Sequence, residues 1–235
     1  MIRGFLIYLS MSVLAEKIIH FYKHLQLPTD LPVDVEILFP QKNKEVMIVV
    51  SRFFKKYFSD NKERTIIFGI NPGRFGAGTT GINFTAPKQL KENCGIEHSF
   101  KNQTELSAEF IYEMIEESGG CEKFYKQFFI SAISPLGFIK NGKNLNYYDD
   151  KKLQEAVTPF IIDCINQQLK WNLNREKCFC VGGEKNFNYF SALNKDQHWF
   201  KEIIPLPHPR FILQYRRKQK DKYIHQYLSA LRFAG

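Results

Sequence analysis

The stretch from residue 66 to residue 84, IIFGINPGRFGAGTTGINF, holds the most distinctive arrangement of chemistry-bearing residues in the chain. Its β-branched and aromatic start is typical of a buried parallel strand. Asn71 comes directly after this strand, and Pro72 keeps it in an extended conformation. Gly73 and the glycines that follow allow the backbone to approach a ligand closely. Because ligands of open α/β sheets bind beyond the carboxyl ends of the strands, the Asn71 amide is well placed to do chemistry.

Two other interpretations of this stretch stay open on the residues alone. Asn-Pro and Pro-Gly are common turn formers, so Asn71 could simply cap a turn. A glycine-rich loop could also bind phosphate. However, no Gly-Lys-Ser/Thr follows and no G-x-G-x-x-G opens a helix here, so both nucleotide-binding motifs are absent. Spacing by itself does not choose between a turn and a site.

Longer sequence matches to a known family favour a functional site over a simple turn. Residues 69–76, GINPGRFG, followed by GINF at 81–84, resemble the first motif of the single-strand-selective monofunctional uracil-DNA glycosylases. That motif is roughly G-M-N-P-G-P-F-G, a short spacer, then G-V-P-F. Residues 205–210, PLPHPR, are similar to the family's His-Pro-Ser-Pro-Arg motif shortened by two residues, and residues 128–136, FFISAISPL, have the form of one of its core strands. The resemblance extends from about residue 60 to about residue 225 and is closest at its two ends.

The resemblance implies a monofunctional DNA glycosylase with a three-layer α/β/α fold and a central four-stranded, mostly parallel sheet. Asn71 would hold a water against the sugar carbon, and His208 would donate a hydrogen bond to a base oxygen that becomes anionic. Further base contacts would come from the backbone around Gly73 and Arg74, from Phe75, and from Phe84 stacking on the flipped base. Phe75 could equally pack within its loop, and Phe84 within the core. No lysine nucleophile, cofactor or metal is implied, so the product should be an unbroken strand with an abasic site.

The sequence departs from the family pattern at the expected floor of the base pocket. Relatives place there an asparagine that recognises the uracil edge, whereas this chain has Ala132, with Ser131 before it and Ser134 two residues on. A serine cannot make the bidentate contact of an amide. Ser134, just before Pro135, is the favoured substitute, and the substrate range is expected to broaden toward oxidised uracils or deaminated purines. Arg74 also replaces the family's usual proline.

Basic residues follow the histidine motif and indicate contact with DNA. The chain has 33 basic and 24 acidic residues, a net charge of +9, which favours a polyanionic partner. In the family, the segment matching residues 210–215 enters the duplex, a task suited to apolar groups flanked by cations. The alternative is the start of an amphipathic helix. The predicted DNA-binding residues are Arg210, Phe211, Gln214, Tyr215, Arg216, Arg217 and Lys218.

Alternating strands and helices must position these residues. Strands are predicted at 65–70, 128–133, 177–182 and 199–205. Helices are predicted at 11–26, 42–58, 106–117 (on the surface), 149–169 (with Pro159 as a kink or a boundary), 183–193 and 221–233. This alternation predicts parallel pairing with helices on both faces.

Length and composition predict a single domain. Its parts are a possible upstream extension at residues 1–10, a helical part at 11–60 and a catalytic core at 61–235. The apolar stretch after Arg3 imitates a signal peptide, but Met11 could be the true start, and export is the less favoured interpretation. Five scattered cysteines without a C-x-x-C pair indicate reduced thiols in the cytoplasm rather than a zinc or iron–sulfur site. We therefore expect a cytoplasmic monomer that acts on single- or double-stranded DNA, without membrane association. The rival functions are a non-catalytic DNA-binding module and a small-molecule phosphate-binding protein.

Overall fold

A computed structural model describes residues 13–232 of the chain. The helices are α1 (Leu14–Lys23), α2 (Lys44–Tyr57), α3 (Ala77–Thr80), α4 (Pro87–Glu92), α5 (Leu106–Glu117), α6 (Cys121–Tyr125), α7 (Lys151–Gln168), α8 (Glu184–Gln197), α9 (Pro209–Tyr215) and α10 (Lys220–Leu231). The strands are β1 (Val35–Leu38), β2 (Thr65–Gly69), β3 (Phe128–Ala132), β4 (Gly137–Lys140), β5 (Lys143–Leu145), β6 (Lys177–Val181) and β7 (Glu202–Leu206). Predictions for the signal-like stretch and for a start at Met11 fall outside the described residues.

Strands β2, β3, β6 and β7 form a parallel sheet in the order β3-β2-β6-β7. Their apolar, β-branched and aromatic residues are almost all buried in β2, β3 and β6, as expected for a sheet covered on both faces. The sheet is flanked by helices, which confirms the predicted three-layer α/β/α fold. From β2 the chain passes to β3 on one side and later to β6 on the other, so the strand order reverses between β2 and β6. A ligand crevice is expected at that point.

The six predicted helices are present, the short helices α3, α4 and α6 were not predicted, and α9 was predicted only as an alternative. Two of the six differ from the prediction in detail. Helix α7 runs continuously through Pro159, which lies on the exposed side, where water can reach the carbonyl that the proline leaves unpaired. Helix α5 is more buried than its acidic composition predicted, because it packs against α9 and α10. Cys178 and Cys180 are buried in β6, as expected, and all five cysteines are buried free thiols. Across residues 13–232, no helix has both the length and the apolar character needed to cross a bilayer.

A second, antiparallel sheet in the order β1-β4-β5 was not predicted. It packs directly against the loop that carries Asn71: a Cβ added at Gly137, the first residue of β4, would lie 2.3 Å from the Pro72 carbonyl oxygen. Only a glycine permits this approach. The small sheet therefore helps to fix the position of the Asn71 loop.

Candidate active site

A cavity of about 330 Å³ opens at the carboxyl ends of the central strands. Asn71 follows β2, Gly183 follows β6 and His208 follows β7, and all three line this cavity. Ala132, the last residue of β3, lines it as well. The cavity thus lies at the reversal of strand order, where α/β proteins bind their ligands. Its volume is at the lower end of the range for small-molecule sites, about 300–1,000 Å³.

The side chain of Asn71 is held by the end of β5 and the chain that follows it. Its Nδ2 donates to the Leu145 carbonyl at 3.3 Å, and its Oδ1 accepts from the Tyr147 amide at 3.3 Å. Tyr147 is fully buried, and its hydroxyl donates to Oδ1 of Asn186 in α8 at 2.6 Å. The amide orientation of Asn71 is therefore set by the protein. A carbonyl oxygen has two lone pairs, so Oδ1 keeps one for a water molecule in the cavity.

His208 is the N-cap of α9, and this contact decides which ring nitrogen carries the proton. Its Nδ1 accepts from the Arg210 amide at 3.1 Å, so the proton lies on Nε2, which is then a donor. Burial of the ring, with a smaller contribution from the Arg210 charge, lowers the pKa of His208 to about 4. The residue before it is anchored by the Tyr227 hydroxyl of α10, which donates to the Pro207 carbonyl. His208 is thus a neutral, oriented hydrogen-bond donor.

Phe84 provides an aromatic face next to the histidine. Its ring centroid lies 6.3 Å from that of His208, with the planes tilted by 56°. Its backbone has a φ of 52°, a conformation that is uncommon for a bulky residue and is found where surrounding contacts enforce it. Those contacts come from buried hydroxyls: Thr80 donates to the Thr85 carbonyl at 2.6 Å, and the Thr85 hydroxyl lies 2.9 Å from that of Tyr112.

Helix α9 forms an aromatic and basic rim on the cavity. Phe211 and Tyr215 are 42% and 62% exposed, and the Arg216 guanidinium lies 5.8 Å from the centre of the Phe211 ring. The predicted residues Arg210, Phe211, Gln214 and Tyr215 all line the cavity. Arg216, Arg217 and Lys218 lie beyond them and are exposed. The segment predicted to be a penetrating loop is therefore a short helix, which is the alternative that the sequence left open.

Comparison with known proteins agrees with this geometry. The family model described as the uracil DNA glycosylase superfamily matches residues 55–232, most of the chain. The chain belongs to the uracil DNA glycosylase superfamily. Among solved structures it is similar to wild-type SMUG2 of Pedobacter heparinus, with 46% sequence identity and a TM-score of 0.90; the match covers 94% of this chain and 97% of that chain. No curated protein matches the chain. The family resemblance and the DNA glycosylase function predicted from the sequence are confirmed.

The two serines predicted to contact the base are not in the glycosylase cavity. Ser131 donates to Oε1 of Gln168 at 2.6 Å, and Ser134 donates to the Leu136 carbonyl at 2.8 Å. Both are buried, and neither is among the lining residues, whereas Ala132 is. Successive side chains of a strand point to opposite faces, so Ser131 and Ala132 cannot both face the cavity. The structure therefore places neither serine in contact with a base.

Only some residues of the glycine-rich loop after Asn71 line the cavity. Gly73 and Phe75 line it, and Phe75 is 50% exposed at its mouth. The Arg74 amide, predicted to bind a base oxygen, instead donates to Oδ1 of Asn144 at 3.1 Å. The Arg74 guanidinium lies 5.1 Å from the centre of the Phe75 ring, outside the cavity lining. The backbone contact at Arg74 is thus already occupied within the protein.

Several polar residues that line the cavity of this glycosylase were not predicted from the sequence. They are Asn83, Glu105, Ser107, Asn144, Asn146 and Tyr148. The last three follow or belong to β5, a strand without a clear sequence signal. Glu105 ion-pairs with Arg210 at 3.1 Å across the cavity mouth and accepts from the Ser107 hydroxyl at 2.9 Å. Among these residues, only Asn83 could have been singled out from the sequence, because it stands where the family motif has proline.

The packing of Phe84 on β2 gives a first prediction for the glycosylase. A Cβ added at Gly69 would lie 2.9 Å from Cε2 of Phe84, so Gly69→Ala must displace the ring. We expect base release to slow about 10-fold, because base–aromatic stacking contributes about 1–3 kcal/mol. The free energy of unfolding should change by less than about 1 kcal/mol. Single-turnover kinetics and thermal melting measure the two effects.

Gly183→Ala is the matched control, since a Cβ at that cavity residue meets no atom within 4 Å. It should keep the wild-type rate. If Gly69→Ala slows base release only in proportion to a loss of thermal stability, displacement of Phe84 is not the cause.

Proposed function

We propose that this glycosylase removes uracil and related deaminated or oxidised bases from DNA. The nucleotide would be flipped into the cavity and its N-glycosidic bond hydrolysed there. The observation that carries the proposal is that one cavity brings together an oriented amide, a neutral imidazole donor and an aromatic face: Asn71, His208 and Phe84. These are the three groups that base excision needs: one for the water, one for the leaving base and one for stacking.

The reaction follows from these contacts. The flipped base stacks on Phe84, and Nε2–H of His208 donates to a base oxygen. As the bond between the sugar carbon C1′ and the base nitrogen breaks, the electron pair moves onto the base, and the hydrogen bond strengthens with the growing negative charge. Oδ1 of Asn71 holds a water against the cation-like C1′, where positioning matters more than proton removal. The water oxygen bonds to C1′ and loses its proton to solvent.

The product of this reaction is an abasic site in an unbroken strand. Among the described residues that line the cavity there is no lysine, the residue type that would form a covalent adduct with the sugar. We propose that the enzyme is monofunctional, single-domain and monomeric, and that it needs no cofactor or metal. A cytoplasmic location is supported by five buried free thiols.

The basic residues after α9 are proposed to grip the DNA backbone. Replacing Arg216, Arg217 and Lys218 together with alanine should make the dependence of binding on salt less steep. Each lost phosphate contact reduces the slope of log K against log salt by about 0.7–0.9, so we expect a reduction of about 2. Fluorescence anisotropy of a labelled oligonucleotide at several salt concentrations measures the slope.

The control for this variant removes the same charge from the other end of the sheet. Lys62, Lys126 and Lys170 are exposed and lie close before the starts of β2, β3 and β6, opposite the cavity. Their alanine variant should keep the wild-type slope. Equal reductions in the two variants would show that net charge, rather than a local contact, attracts the DNA.

The proposed function is tested on oligonucleotides that carry uracil, 5-hydroxymethyluracil, hypoxanthine or xanthine, each single- and double-stranded. After incubation, alkali cleaves the strand at abasic sites. We expect breaks at uracil that require both enzyme and alkali, and the other lesions rank the substrate range. Intact strands for every lesion, with tight DNA binding retained, would overturn the proposal and favour a non-catalytic DNA-binding module.

A further inference from the structure

The floor of the base pocket lacks the polar group that base recognition requires. Ala132 offers only a methyl group there, and the hydroxyls of Ser131 and Ser134 are bonded elsewhere. A base taken out of water loses binding energy wherever its donors and acceptors stay unpaired. Another side chain must therefore meet the edge of the base. The carboxamides among the lining residues, apart from Asn71, are Asn83, Asn144, Asn146 and Gln214.

Three of these amides are poorly placed for this task. Gln214 belongs to the rim helix and its Nε2 donates to the Tyr215 hydroxyl. Asn144 is exposed, and its Oδ1 accepts from the Arg74 amide. Asn146 donates through Nδ2 to Asp149 at 2.7 Å, and it lies beside Tyr147, whose amide holds Asn71. Asn144 and Asn146 are thus on the side of the cavity where Asn71 would hold the water.

Asn83 comes to the cavity from a different segment, the turn between α3 and α4. It precedes Phe84, the proposed stacking residue, and it also borders a small inner cavity of about 10 Å³. Phe129 and Ile130 of β3 line that inner cavity, so Asn83 lies over the strand that ends at Ala132. An amide from the neighbouring loop therefore occupies the region that a strand asparagine would otherwise serve.

A buried tyrosine lies close to the Asn83 side chain. Burial raises the pKa of Tyr22 of α1, and the polar Asn83 side chain nearby acts in the opposite direction. Each end of a carboxamide has two hydrogen-bonding positions, so one contact leaves the others for a base. The backbone carbonyl of Asn83 accepts from the Thr85 hydroxyl at 3.2 Å. The turn that carries the Asn83 side chain is thus held before the base arrives, as the support of a recognition group should be.

We propose that Asn83 recognises the edge of the flipped base, in place of the strand asparagine that is absent at Ala132; this inference rests on the proposed function. Its ligand is a ring N–H next to a carbonyl. Uracil and 5-substituted uracils present this pair at N3 and C4, and hypoxanthine and xanthine present it at N1 and C6. Cytosine and adenine present the inverse pair, a ring nitrogen acceptor next to an exocyclic amine. An amide held in one orientation therefore favours uracil over cytosine and hypoxanthine over adenine, but it does not separate xanthine from guanine, which presents the same N1–H and C6 carbonyl.

The test compares uracil with 2-pyrimidinone in single-stranded oligonucleotides. Both bases keep the O2 oxygen for His208, but 2-pyrimidinone lacks the N3 hydrogen and the C4 oxygen. For Asn83→Ala we expect single-turnover base release from uracil to fall about 10- to 100-fold, the discrimination typical of a good bidentate contact. The rate of release from 2-pyrimidinone should stay close to that of the wild type. The ratio of the uracil rate to the 2-pyrimidinone rate should therefore fall by nearly the same factor. Differences in leaving ability cancel, because the same two bases are compared in each protein.

A second variant separates recognition from a structural role. Asn83→Ala/Ala132→Asn returns an amide to the strand, and it should recover most of the lost activity on uracil. Unchanged release from uracil by Asn83→Ala overturns the inference. So does an equal loss on both bases without recovery in the double variant, which would show that Asn83 only supports the loop. If the wild-type protein releases no base at all, the proposed function fails instead, before any variant is compared.

Discussion

Asn71→Ala is expected to slow base release by about 10²–10³-fold while DNA binding stays close to that of the wild type. The reason lies in the proposed role of Asn71: the Leu145 carbonyl and the Tyr147 amide fix its side chain, and Oδ1 has a second lone pair with which it would hold the water. Alanine can neither hold that water nor restrict where it approaches the sugar. Single-turnover cleavage of a uracil oligonucleotide, followed by alkali, measures the rate, and anisotropy measures Kd.

The same hydrogen bonds would also suit a residue that merely caps a turn, so the experiment needs a control that loosens the loop alone. Tyr147→Phe removes the hydroxyl that donates to Asn186 but keeps the backbone amide that contacts Asn71. It should lower the Tm and slow base release only a few-fold. Equal losses of rate in the two variants at equal losses of Tm would mean that Asn71 is structural.

The central sheet could be predicted because each of its strands is an apolar run followed by glycine, proline or a polar loop. Burial on both faces leaves such a run few alternatives. The small sheet could not be predicted in the same way. β5 is only three residues long and mostly exposed, and β1 pairs with β4, which lies about a hundred residues further along the chain. Short, polar strands that pair across such distances have no local signal. The polar residues that β5 brings to the cavity were missed for this reason.

The residues that line the cavity could be predicted where their placement depends on a strand end, and were missed where it depends on packing with neighbours. Asn71 and His208 follow directly from strand ends, so their convergence could be inferred from the order of elements. Ser131 and Ser134 were chosen because they flank Ala132, but whether a hydroxyl faces the cavity or Gln168 depends on packing in α7. The helix after His208 had a visible signal, since proline is favoured at the first helical position.

His208→Ala should slow release of uracil by about 10²–10³-fold, the loss typical of one donor to a developing oxyanion. Alanine also removes the N-cap of α9, so part of the loss could come from the helix. His208→Gln separates the two effects, because its amide can still donate to the base oxygen. We expect it to recover part of the activity. His225→Ala is the matched control, since that histidine is exposed on α10 and should keep the wild-type rate.

The lowered pKa of His208 predicts how activity and stability depend on pH. Its pKa of about 4 lies below the ordinary 6.5, so the folded protein keeps the ring neutral where the unfolded chain is already protonated. This contribution to stability is therefore fully present above about pH 6.5 and is lost as the pH falls toward 4. The unfolding free energy of the wild type should decline relative to His208→Gln across that interval.

The pH dependence of base release should follow the pKa of His208 in the folded protein rather than its value in the unfolded chain. Base release by wild type should stay level from about pH 8 to about pH 5 and decline only near pH 4. Protonation of Nδ1 then removes the acceptor for the Arg210 amide and places a second cation beside Arg210. Single-turnover rates across this range test the assignment of the neutral ring. A half-maximal rate near pH 6.5 that is absent in His208→Gln would show an imidazole of ordinary pKa. A rate that falls as the pH rises through that value would mean that the donor is the charged form.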